Sequence, residues 1–182
     1  AWDGIRAADY LMSRLELDQS TPLGMTGNSG GGAQTMYLMA LDDRIGPAAP
    51  SCHITTLERN FEIGGAGDGC QSPPLTGRLG IDHPDFFVMR APRPSIILSA
   101  ERDYKDIVFT RKTYAETRKA YALLDRPECM DMFAYDDTHS FSLPRREAAV
   151  EWMQRWLLDR TAAIREPELV PFDGKDLQVT ES

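Results

Sequence analysis

Gly27-Asn28-Ser29-Gly30-Gly31 spells G-x-S-x-G, a pattern that suits a serine nucleophile on a tight strand-to-helix turn. The turn is strained, and side chains two residues either side of the serine would collide, so both glycines are expected to be needed. Such a turn lifts the Ser29 hydroxyl clear of its surroundings. The amide of Gly30, at the start of the following helix, can then face a developing oxyanion. A hydroxyl is inert at neutral pH unless a base takes its proton and an acid orients that base. The chain has three histidines, so the base can be sought by elimination. With partners running Ser, acid, His along the chain, His139 has the right place. His53 and His83 precede the one acidic loop that fits and are read as structural hydrogen-bonding groups. Asp82-His83-Pro84 reads as a turn or the start of a helix. Asp103 is the preferred acid; Glu101 and Asp106 are its rivals, and Asp103 lies nearer the strand end than Asp106. Activity should rise with pH as the imidazole at 139 becomes neutral.

Other chemistries fit less well. Cys52, His53, Cys70 and His83 match no zinc-ligand spacing, so no metal and no cofactor is expected. The glycine-rich run from Gly64 to Gly69 lacks the strand-helix context and Gly-Lys-Ser ending of a phosphate cradle. Three cysteines, Cys52, Cys70 and Cys129, with no CxxC pair argue against a disulfide scaffold; buried or idle thiols are the plain reading. Trp152 and Trp156, four apart on a helical pattern, read as core rather than as a sugar platform.

These residues need elements to hold them. Residues 2–17 carry apolar side chains at helical spacing through Trp2, Ile5, Ala8, Leu11, Met12 and Leu15. Leu23–Gly27 is a short buried strand, and Ala33–Leu41 a nearly uncharged helix. Helix, strand, glycine turn and helix make an α/β signature. Residues 45–52 form a weak strand candidate, because Pro47 and Pro50 interrupt it. From Thr55 to Pro94 the pattern is irregular, the length of a segment that wraps a site. Ser95–Ala100 is the clearest strand, Thr113–Leu124 a helix, Met130–Tyr135 a last strand, and Pro144–Leu158 a last helix with Ala149, Trp152, Met153, Trp156 and Leu157 as its buried stripe. Residues 1–165 form one catalytic domain and 166–182 a polar tail.

The composition sets outer bounds. The 182 residues carry 42% hydrophobic and 26% charged side chains, ordinary for one globular domain. Net charge is −8, with no basic stripe. That repels phosphate backbones and anionic membranes and favours neutral or cationic substrates. No apolar run reaches the roughly 18 residues that would cross a bilayer.

Gly27–Gly31, Asp103 and His139 together make the chain resemble the α/β-hydrolases. More narrowly, Trp2-Asp3-Gly4-Ile5-Arg6-Ala7-Ala8-Asp9-Tyr10-Leu11, the Gly27–Gly32 turn and Ala91-Pro92-Arg93-Pro94 are similar to acetyl-xylan-esterase-like hydrolases. These are bacterial serine carbohydrate esterases akin to dienelactone-hydrolase and prolyl-oligopeptidase-type domains. The likeness runs from about Trp2 to Leu158. It implies a mostly parallel sheet flanked by helices, with Ser29 as nucleophile, Asp103 as acid, His139 as base and Gly30 as oxyanion donor. It also implies an acetyl ester of a carbohydrate as substrate. A prolyl-oligopeptidase-like peptidase and a non-catalytic hydrolase subunit are the alternatives. Such hydrolases carry about four strands before the nucleophile turn, and here that turn follows the first helix. The expectation is a homo-oligomer, or completion by a preceding N-terminal segment, since the first strand would leave an open edge.

Overall fold

Four short runs, Leu23–Asn28 (β1), Ile45–Ser51 (β2), Ser95–Ala100 (β3) and Met130–Tyr135 (β4), pair in parallel in the order β1-β2-β3-β4. The computed structural model describes residues 1–18, 20–63, 71–73, 75–170 and 172–180. The helices are Trp2–Met12 (α1), Gly30–Leu41 (α2), Leu57–Glu62 (α3), Thr76–Leu79 (α4), His83–Arg90 (α5), Ile107–Leu123 (α6) and Leu143–Leu158 (α7). Side chains alternate across a strand, and β3 shows what that does here. Ile97 faces a core built with Met36 and Met39 of α2, Phe87 of α5 and Tyr121 of α6. Ile96 and Leu98 face a second core built with Ala149 and Trp152 of α7. Helices thus cover both faces, as an all-parallel sheet requires.

Parallel pairing brings the C-terminal ends of the strands to one edge. Asn28 lies opposite Ser51, Ser51 opposite Leu98, and Ala100 opposite Tyr135. Whatever follows each strand therefore meets its counterparts there. The opposite ends are tied by Arg90, a buried side chain that donates to Met39 O at 3.0 Å, Ile45 O at 3.2 Å and Pro94 O at 2.8 Å.

Several sequence expectations change. The interrupted run at 45–52 is a buried strand inside the sheet. Its prolines remove two ladder donors, and the β2–β3 pairing keeps Ala48↔Ser95 and Ser51↔Leu98 around the gap at Pro50. Burial on both faces outweighs those two hydrogen bonds. The irregular stretch 55–94 holds α3, α4 and α5. The start of α5 is closed by a capping box in which Asp82 and Asp85 each bond the other's backbone. Helix α1 stops at Met12, and Leu15 beyond it is 97% exposed. Its apolar stripe is largely uncovered, Ala8 alone being buried. Helix α6 begins at Ile107 rather than 113 because Asp106 caps it, accepting from Val108 N at 2.9 Å. Helix α2 begins at Gly30, directly after Ser29. The chain beyond α7 is pinned back onto it as far as Glu166, whose carboxylate takes both Arg146 Nε and a terminal nitrogen at 2.6 Å. The Gly64–Gly69 run and Cys70 lie outside the described residues. Cys52 and Cys129 are free and buried.

Candidate active site

The site is built from the turn upward. Ser29 stands between the end of β1 and the start of α2 with φ +55° and ψ −117°, a left-handed conformation that costs a residue with a side chain. The surroundings hold it there. Ser29 N donates to Ser51 O at 2.9 Å, and Ser29 O accepts from Ala33 N at 2.9 Å. Asn28 and Ser51 are joined side chain to side chain at 2.9 Å.

The glycines divide unequally. A methyl group on Gly27 would lie 2.6 Å from the Gly31 backbone, and one on Gly32 would lie 2.4 Å from Ser51 O. One on Gly31 would meet nothing within 4 Å. The expectation that both glycines of the five-residue pattern exclude side chains is therefore corrected. Gly27 does so, and the second position is Gly32, which lets β2 approach the helix. Gly27→Ala and Gly32→Ala should each lose most of the folded protein or most turnover. Gly31→Ala should keep wild-type turnover and gain about 0.5–1 kcal/mol from helix propensity, read as a higher urea midpoint.

Asp103 and His139 come from loops after β3 and β4 and meet above the sheet edge. His139 Nδ1 lies 2.8 Å from Asp103 Oδ1 and 3.0 Å from Oδ2. The Asp103 side chain is 1% exposed and the His139 side chain 24%, so the carboxylate lies behind a ring that can reach solvent. Asp103 also accepts from Lys105 N at 2.9 Å. An Nδ1–H held this way leaves Nε2 as the acceptor facing outward. Among the described residues the hydrogen bonds of His139 go to Asp103 and none to Ser29 Oγ; catalytic contacts of this kind are often long until substrate is bound.

The rival acids are engaged elsewhere. Asp106 takes Arg59 Nε at 2.9 Å besides capping α6, and Glu101 pairs with Arg111 at 2.5 Å. His83 Nδ1 accepts from Thr55 N at 3.1 Å, as a structural histidine should. Its burial pulls its pKa down to about 4. His53 departs from expectation: both of its ring nitrogens are buried with no hydrogen-bond partner among the described residues. It stacks on His83 at 5.2 Å. Burial, then the nearness of His83, lowers its pKa far below the usual imidazole range.

Three neighbours escaped the sequence reading. The Tyr104 ring lies 4.5 Å from that of His139, and its place beside Asp103 was the available signal. Gln71 brings its carboxamide close to the turn, 3.8 Å from where a Gly30 side chain would begin. Cys52, at φ +49° just past β2, puts its sulfur within 4.8 Å of both the Asp103 carboxylate and a His139 ring nitrogen. Burial first, and Asp103 second, push its thiol up to about 11, so it is a protonated donor at neutral pH. Among the described residues, Cys52, Asp103 and His139 are the one group whose atoms could surround a metal ion. His139 Nδ1 is already turned on Asp103, while the Cys52 thiol donates to Ser140 O at 3.7 Å and accepts from the Arg145 guanidinium, so a hydrogen-bonded relay suits the group better than a cation.

No protein-family model and no curated protein matches the sequence. Solved structures do match. A methylesterase, BT1017, shares 24% identity over 86% of this chain and 34% of its own, with a TM-score of 0.71. A family 15 carbohydrate esterase, a glucuronoyl esterase from Caldicellulosiruptor kristjansonii, shares 15% over 93% of this chain and 53% of its own, with a TM-score of 0.74. A mutant glucuronoyl esterase from Sporotrichum thermophile, in complex with methyl 4-O-methyl-beta-D-glucopyranuronate, shares 18% over 85% and 50%, with a TM-score of 0.66. The chain shares the α/β-hydrolase fold with these esterases and spans about a third to a half of their length.

Proposed function

We propose that this chain carries the nucleophile, acid and base of a carbohydrate ester hydrolase, and that its substrate is an ester of a sugar carboxylate rather than the acetyl ester that the sequence resemblance implied. The observation that carries the reading is the Asp103–His139 hydrogen bond at 2.8 Å, on the same sheet edge as a serine with positive φ. His139 Nε2 takes the Ser29 proton as Oγ attacks the ester carbonyl. The Gly30 amide, at the N-terminus of α2, faces the oxyanion. The proton passes from His139 to the departing alcohol, and water repeats the sequence to free the acid. Asp103 holds the ring in the productive tautomer throughout.

Two features support the choice of substrate. The matched structures are a methylesterase and glucuronoyl esterases, one of them in complex with a methyl glucopyranuronate. The net charge of −8 tolerates a neutral ester and repels the uronate released from it, which assists product departure.

The test is a substrate panel. Methyl glucopyranuronate should be turned over at least tenfold faster, by kcat/KM, than p-nitrophenyl acetate, and a proline-containing peptide should not be cleaved. Preference for the acetyl ester would restore the acetyl reading. Peptide cleavage would replace the esterase reading with the peptidase one. No turnover, together with no labelling of Ser29 by a fluorophosphonate, would remove the catalytic reading altogether.

A further inference from the structure

Arg145, in the first turn of α7, is the largest completely buried side chain among the described residues. A guanidinium brings a permanent charge and five donors, and burying it is costly unless those donors find acceptors. The position is also unfavourable for a cation, because a helix N-terminus carries partial positive charge. The side chain therefore needs a reason that helix stability does not supply.

Its partners give one. Nε donates to Ser142 Oγ at 3.2 Å. One terminal nitrogen serves Asp137 Oδ2 at 3.0 Å, Thr138 O at 3.1 Å and Ser140 Oγ at 3.2 Å. These four residues bracket His139. The other terminal nitrogen donates to Cys52 Sγ, whose sulfur lies within 4.8 Å of the Asp103 carboxylate and the His139 ring. Cys52 Sγ also reaches Ser140 O at 3.7 Å. One cation thus joins the loop that carries the base to the group packed against the acid, from beneath both.

We propose that Arg145 is a positioning residue for the relay, setting the His139–Asp103 geometry through the 137–142 loop and through Cys52. The proposal rests on reading Ser29, Asp103 and His139 as the catalytic set, and it adds a fourth and fifth member that touch no substrate. Arg145 supplies donors that a lysine, with one compact ammonium, cannot distribute in the same way. Cys52 accepts from Arg145 and donates to Ser140 O in one atom, packed within 4.8 Å of the Asp103 carboxylate.

The experiment combines kinetics with nitrogen-15 NMR of the histidine side chains in the full chain, comparing wild type with Arg145→Met, Cys52→Ala and Cys52→Ser. Arg145→Met should lower kcat by about 10- to 100-fold, the usual cost of losing an outer-shell orienting group, while KM stays within about twofold. In the same variant the His139 Nδ1–H signal bonded to Asp103 should broaden or vanish, and the ring should populate both tautomers. Cys52→Ala should do the same to a smaller degree, and Cys52→Ser should recover most of that loss. Alanine and serine carry the same backbone strain at φ +49°, so a difference between them reports the polar atom. A folded Arg145→Met with wild-type kcat and an unchanged His139 signal would overturn the proposal. If Arg145→Met does not fold, the cysteine pair decides, and two variants indistinguishable from wild type would overturn it. The NMR signal needs no turnover. An inactive wild type whose His139 is still freed by Arg145→Met would sink the esterase reading and keep this one.

Discussion

Ser29→Ala is expected to lower kcat for ester hydrolysis by on the order of 10⁴- to 10⁶-fold and to abolish fluorophosphonate labelling, with the fold unchanged by circular dichroism. The size follows from how a nucleophilic relay works: once the attacking oxygen is gone, what remains is binding and oxyanion stabilisation. Alanine keeps the positive φ at position 29 no worse than serine does, so stability should hardly move. The acid gives a sharper comparison. Asp103→Asn should cost roughly 10⁴-fold, because a neutral amide no longer selects the Nδ1–H tautomer or stabilises the imidazolium. Asp106→Asn should stay within a few-fold of wild type. Asparagine still caps a helix, and the lost pair with Arg59 is partly exposed, worth under about 1 kcal/mol. Equal effects at 103 and 106 would contradict the assignment of the acid, as would a Ser29→Ala protein that still turns over ester.

Acid should destabilise this protein well before its carboxylates titrate. His83 is buried, and its pKa falls from 6.5 to about 4 on folding. His53 is shifted in the same direction by its own burial and by His83. As pH drops below the ordinary imidazole value, the unfolded chain takes up protons that the folded chain refuses. The unfolded state then binds more protons, so stability decreases as pH falls, across the window from 6.5 down to about 4. His83 and the stacked His53 act in the same sense, each proton refused by the folded chain lowering stability as pH falls. Urea unfolding followed between about pH 7 and pH 5 should show the midpoint falling steadily. His83→Asn keeps an acceptor for Thr55 N and removes the titration, so its profile should be flatter, whatever its stability at neutral pH. A wild-type profile that is level over that range would refute the account.

How much of this was legible beforehand depended on range along the chain. The Ser29 turn could be read because its requirements are local: a short apolar run, a serine among glycines, then an uncharged helix. The strands at 95–100 and 130–135 declared themselves by apolar content, and the loops after them held an aspartate and a histidine in a workable order. The glycine rule was only half legible. Gly27 is constrained by Gly31 four residues on, whereas Gly32 is constrained by Ser51 O from the next strand, and no local pattern reports that contact. The strand at 45–51 looked doubtful because prolines count against a strand in isolation. Its burial on both faces is a property of the sheet. Trp2, Leu11 and Leu15 look like a core stripe by spacing and are exposed, because periodicity states which residues share a face and not whether anything covers it.

Arg145 marks the boundary most clearly. As a letter it is one more charge in a helical stretch, indistinguishable from Arg146 beside it, yet one is wholly enclosed and the other reaches out to Glu166. By itself the sequence determined the strand-helix alternation, the strained serine and the identity of the groups able to pass a proton, since all of these follow from short-range sterics and side-chain chemistry. Only the tertiary structure decided that Asp103 rather than Asp106 faces His139, that Cys52 lies against both, and that a buried guanidinium binds the set together. Those are distances between segments tens of residues apart, fixed by parallel strand register and by the need of every enclosed polar group for a partner.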